Sequence, residues 1–84
     1  MSVTIANTPN PNALKFTVGV DVGGPSTFVA GAETDDPLAT QLLALEGVAS
    51  IFKTADFVTI SKMPGADWDA LAPAAATILE EHYG

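Results

Sequence analysis

Between Ala13 and Val20 the chain alternates almost without fault. Leu14, Phe16, Val18 and Val20 fall on one side, and Lys15, Thr17 and Gly19 on the other. Successive strand side chains point to opposite faces, so this run has one face to bury and one to leave in water. An antiparallel sheet covered on a single side is the arrangement that satisfies both faces. A chain of 84 residues has room for one such sheet and one covering layer, and for a single domain. A domain of that size buries only about 60% of its extended surface, so its core must be drawn from regular elements.

The remaining pattern supplies those elements. Ser2 to Ala6 alternates and reads as a short strand, with Val3 and Ile5 on one side. Thr8-Pro9-Asn10-Pro11-Asn12 then breaks the pattern, because proline removes ladder donors and asparagine favours turns. The first two strands form a wide hairpin across this loop. Asp21 to Ser26, built on Gly23-Gly24-Pro25, reads as a turn, and Thr27 to Ala30 as a short edge strand. Glu33-Thr34-Asp35-Asp36-Pro37 opens a helix: Asp36 caps it, Pro37 takes the first helical position, and the acids suit the positive end of the dipole. Leu38, Leu42 and Leu45 form its apolar stripe, which predicts a helix to about Glu46 ended by Gly47. Val48–Phe52 and Phe57–Lys62 are a second strand pair, joined by Lys53-Thr54-Ala55-Asp56. Asp67 caps a final helix whose inner face carries Trp68, Leu71, Ala75, Ile78 and Leu79. Pro73 clashes with the carbonyl of Asp69 and predicts an irregular or kinked first turn. The expected fold is α+β: a four- to five-stranded antiparallel sheet with two helices packed on one face, in the order ββ(β)αββα. Residues 1–84 make one domain.

Composition narrows the chemistry. There is no cysteine, which removes disulfides, thiolate metal sites and cysteine nucleophiles together. Ten acidic side chains face three lysines and no arginine, for a net charge of −7. Three scattered lysines make no stripe for nucleic-acid phosphates, and anionic membrane surfaces repel the chain. No segment reaches the length of a membrane span, and Met1 to Ala6 lacks the marks of a signal peptide, so the expectation is a cytoplasmic protein. A monomer is expected. The one histidine, His82, sits two residues from the end. A serine, threonine or lysine nucleophile therefore lacks an activating base, and the reading is not an enzyme. The acid pairs Asp35/Asp36 and Asp67/Asp69 are explained as helix caps, and Glu80/Glu81 as solubilising charge. No spaced oxygen-ligand loop predicts a metal site, and no cofactor is expected.

The loop from Thr8 to Asn12 is less ordinary. Prolines stiffen it, and Asn10 and Asn12 each display an amide donor and a carbonyl acceptor, a composition suited to a rigid recognition surface. Lys15 and Lys53 are expected near it on the polar face. The candidate partner-binding residues are thus Asn10, Asn12, Lys15, Lys53 and Asp56.

At Thr8-Pro9-Asn10-Pro11-Asn12-Ala13-Leu14-Lys15-Phe16 the chain resembles the opening motif of the N-terminal domain of Nfu/NifU-like iron–sulfur scaffold proteins. Three further stretches agree in order and spacing: Pro37-Leu38-Ala39 leading to Leu45-Glu46-Gly47-Val48, Ser50-Ile51-Phe52 through Asp56–Lys62, and Trp68 with Leu71 and Pro73. The resemblance implies a compact α+β domain and involvement in iron–sulfur cluster assembly or delivery. In full-length members the cluster sits on a Cys-x-x-Cys pair in a separate C-terminal domain. These 84 residues hold no such pair, so the implied role is that of the accessory domain standing alone, contacting an assembly or recipient protein. The alternative is a small-ligand or weak iron-binding protein that uses the asparagine loop or an acid pair.

Overall fold

The computed structural model describes residues 3–31 and 34–83. Its elements run β1 (Thr4–Asn7), β2 (Ala13–Thr17), β3 (Gly23–Val29), α1 (Pro37–Leu43), β4 (Val48–Ala55), β5 (Phe57–Lys62) and α2 (Trp68–Tyr83). The five strands form one antiparallel sheet in the order β1-β2-β5-β4-β3, and both helices lie on the same face. The expected α+β architecture is the observed one, with the third strand present and at an edge.

Alternation decides the faces. Phe16, Val58 and Lys53 lie opposite one another across β2, β5 and β4, and Leu14, Ile60 and Ile51 form the next row. Both rows point toward the helices. There Phe16, Val18, Ile51, Val58 and Ile60 pack against Leu38 and Leu42 of α1 and Leu71, Ala75 and Leu79 of α2. Helical spacing puts each leucine set on a single stripe, which is why seven- and sixteen-residue helices suffice to cover the sheet. Asp36 caps α1 as expected, its Oδ1 accepting the N–H groups of Leu38 and Ala39 at 2.9 and 3.1 Å. Asp67 caps α2 through the N–H of Asp69 at 2.9 Å.

The structure corrects several boundaries. β1 begins at Thr4, and Ser2 lies outside the described residues, as does Glu33 of the expected acidic helix start. Ile5 shares a row with Phe16 yet is 44% exposed, and its strand is the edge of the sheet. Gly23-Gly24-Pro25 is part of β3 and not a separate turn; the register shifts between Gly23 and Ser26, so the strand bulges there. Gly24 is required at this point, since a Cβ would lie 2.2 Å from the carbonyl oxygen of Lys53. Helix α1 ends at Leu43 and not at Glu46, because the N–H of Leu45 turns back to the carbonyl of Leu42 and the chain swings round into β4. Leu45 still packs against the core, so its place in the stripe reported burial and not helix. Helix α2 is unbroken through Pro73, whose missing N–H leaves one turn without its bond while Leu71, Ala75 and Leu79 hold the helix on the sheet.

Candidate functional site

The Thr8–Asn12 loop is held by its own polar groups. The Thr8 hydroxyl lies 2.8 Å from the carbonyl oxygen of Asn10 and 2.9 Å from that of Ala13. Asn10 accepts the N–H of Asn12 on its side-chain oxygen at 2.9 Å, and its backbone oxygen accepts the N–H of Ala13 at 3.0 Å. The side-chain bond is the short-range turn that asparagine offers, which is why the sequence reads as a loop here. Three long-range bonds, from two residues, then fix the loop to the body. Trp68 at the start of α2 donates its indole N–H to the carbonyl of Pro11 at 3.2 Å, and Lys62 at the end of β5 reaches Asn12 twice. The backbone N–H of Lys62 donates to the Asn12 carbonyl at 2.7 Å, and its ammonium to the Asn12 side-chain oxygen at 3.1 Å. Between the loop, Leu14 and Trp68 lies an open cleft of about 340 Å³.

The five candidate residues do not gather in one place. Asn10 and Asn12 frame the loop, and their side-chain oxygens are occupied, so each offers outward chiefly its amide donors. Lys15 is on the open face of the sheet, its ammonium 4.4 Å from the centre of the Phe57 ring. Asp56 is an exposed turn residue at the other end of β2, where its carbonyl accepts the N–H of Val18. That is about 14 Å from the loop by strand rise.

Lys53 is the clear correction. It belongs to β4, not to a connecting loop, and it faces the helices rather than the polar side of the sheet. Its side chain is 10% exposed, ion-paired and hydrogen-bonded to Asp36, with its ammonium 5.5 Å from the centre of the Phe28 ring. Burial works against the Asp36 carboxylate. The Lys53 hydrogen bond and charge, with the N–H groups of Ala39 and Leu38, outweigh it and hold its pKa below the usual carboxylate value. This pair ties the cap of α1 to the sheet. The cation at the loop is Lys62, which sequence reasoning passed over. Only the register, in which Ala13 stands opposite Ser61, brings the end of β5 beside Asn12.

The whole described fold, loop included, corresponds to one family model: "Scaffold protein Nfu/NifU N terminal" matches residues 3–84. The chain belongs to that family. An iron–sulfur cluster scaffold homolog of Drosophila erecta, named as NFU1 and mitochondrial, is 40% identical over 87 residues, covering 99% of this chain and 31% of its own length. A NifU-like protein of Schizosaccharomyces pombe is 41% identical over 80 residues, covering 89% of this chain and 31% of its own. The chain therefore spans about a third of the curated relatives it matches. Among solved structures, protein SAV1430 of Staphylococcus aureus superposes with a TM-score of 0.78 at 28% identity, covering 93% of this chain and 98% of that one. A NifU-like protein of Saccharomyces cerevisiae gives 0.70 at 28% identity, covering 98% of this chain and 79% of that one. The resemblance drawn from the loop motif is thus the family found. Among the described residues no helix is long and apolar enough to cross a membrane.

Proposed function

We propose that this Nfu/NifU N-terminal domain is a non-catalytic interaction module in iron–sulfur cluster assembly or delivery, and that it works on the cluster's protein carriers and not as a cluster ligand. The family match over residues 3–84 carries the reading. The donor set supports its second half: the chain offers no thiolate, and its one histidine is exposed near the end of α2. The contact surface in this reading is the stiff loop with the amide donors of Asn10 and Asn12, continued onto Lys15. A loop already held by Trp68 and Lys62 loses little entropy when it docks. We place the domain in the cytoplasm in this reading, and fractionation of cells carrying a tagged chain checks it.

The deciding experiment is an amide chemical-shift titration of the chain with a Cys-x-x-Cys scaffold, apo and cluster-loaded. The expected result is a set of shifts confined to the loop and the first residues of β2. The double variant Asn10→Asp, Lys15→Ala keeps the acceptor that builds the turn and removes both amide donors of Asn10 and the cation of Lys15. It should bind the scaffold more weakly and melt within a few degrees of the parent. Normal binding with a much lower midpoint would make the loop structural and move the contact surface elsewhere.

Anaerobic reconstitution with iron and sulfide should leave no cluster on the chain, and Fe(II) should bind only weakly through carboxylates. A charge-transfer absorption that survives desalting overturns this expectation and favours a metal-binding protein.

A further inference from the structure

A second cleft, of about 600 Å³, lies between the α1–β4 turn and the start of α2, and it shares no lining residue with the loop cleft. Its floor is apolar, with Leu45 and Leu71 beneath and the small side chain of Ala70 leaving space above. The walls are built before any partner arrives. The N–H of Met63 donates to the Gly47 carbonyl at 2.7 Å, which staples one wall to the other. At Gly47, with φ +97°, a Cβ would fall 2.7 Å from the Cβ of Ala66 and 3.3 Å from Cδ1 of Leu71, so the back of the cleft is closed. At the lip Met63 is 45% exposed, an unbranched thioether that adapts to what it covers.

Charge selects the occupant. The ionisable residues lining the cleft are Glu46 and Asp67, both exposed acids. None of the three lysines lines it: Lys53 is spent on Asp36, Lys62 on Asn12, and Lys15 lies over Phe57. A net charge of −7 repels a second copy of the chain, a nucleic acid or an anionic membrane, and draws in a cation. An apolar floor under an acidic rim is complementary to an apolar side chain flanked by positive charge. We propose that this cleft seats a basic segment of a partner protein, presenting one bulky apolar side chain between lysines or arginines. The assignment is independent of the iron–sulfur reading and concerns a surface separate from the loop.

Three synthetic hexapeptides test it against the full, isotope-labelled chain: Lys-Lys-Leu-Phe-Lys-Lys, the same with both central residues serine, and the same with every lysine glutamate. The first should shift the amides of Gly47, Gly65, Ala66 and Ala70, and the other two should leave them in place. Glu46→Gln with Asp67→Asn, where asparagine still caps α2, should weaken binding about tenfold. Ala70→Phe, at an exposed helix position, should fill the cleft and abolish binding while the amide spectrum outside the cleft is kept. Shifts centred on Thr8–Asn12 or on the open sheet face overturn the proposal. So does equal binding of the serine or glutamate peptide, or no binding of the first peptide at millimolar concentration. A concentration-dependent dimer that Ala70→Phe breaks also overturns it, because the occupant is then a second copy.

Discussion

Phe16→Ala should lower the stability of this domain by about 3–5 kcal/mol, the largest loss expected from any single truncation in the sheet. Phe16 is fully buried in the second strand of the sheet, in the row that faces both helices, and its ring lies 6.4 Å from that of Trp68. Removing it deletes the apolar surface it buries and opens a cavity that β2 cannot close, because β2 is hydrogen-bonded on both sides to β1 and β5. A domain of this length has roughly 4–13 kcal/mol in all, so the variant sits near the edge of folding. Urea melts measure the difference directly. Agreement with the parent within about half a kcal/mol would falsify the assignment of the inward face.

The second large effect is at Asp36. Replacing it with alanine removes the α1 cap and strands a largely buried Lys53 ammonium, with an expected cost of about 3 kcal/mol. Asp36→Asn separates the two contributions, since asparagine still accepts the N–H groups of Leu38 and Ala39 but carries no charge. The same pair sets a pH dependence. The folded-state pKa of Asp36 is lowered, so its contribution is complete above the ordinary carboxylate value and is lost as pH falls through the folded value. The stability gap between parent and Asp36→Asn should be widest at neutral pH and should close at acid pH. A gap that is constant across that window means the ion pair contributes nothing.

These two positions also show where sequence reading stops. Phe16 is legible from alternation alone, which needs no partner to be recognised. Lys53 is illegible for the opposite reason: a lysine in an inward strand position looks like the start of a loop until its counter-ion is known. That counter-ion lies 17 residues away, across α1. Without it, β4 is cut short at Phe52 when it runs to Ala55. The candidate site divides the same way. The Asn10–Asn12 turn is written in neighbouring residues, whereas its anchors, Lys62 and Trp68, are 50 and 57 residues distant from the groups they bind.

The sequence by itself determined what depends on neighbours along the chain. Period two set the faces of β2, spaced leucines set the buried stripes of both helices, and Asp36-Pro37 and Asp67 set their starts. It thereby determined the α+β class, the element order and, through the loop motif, the family. Only the tertiary structure decided the rest: the order β1-β2-β5-β4-β3, the early end of α1 at Leu43, the inward turn of Lys53 and the two separate clefts. The physical reason is range. Dihedral preference and side-chain alternation act within one element, whereas a buried charge, a strand register or a cleft wall exists only once distant segments have closed on one another.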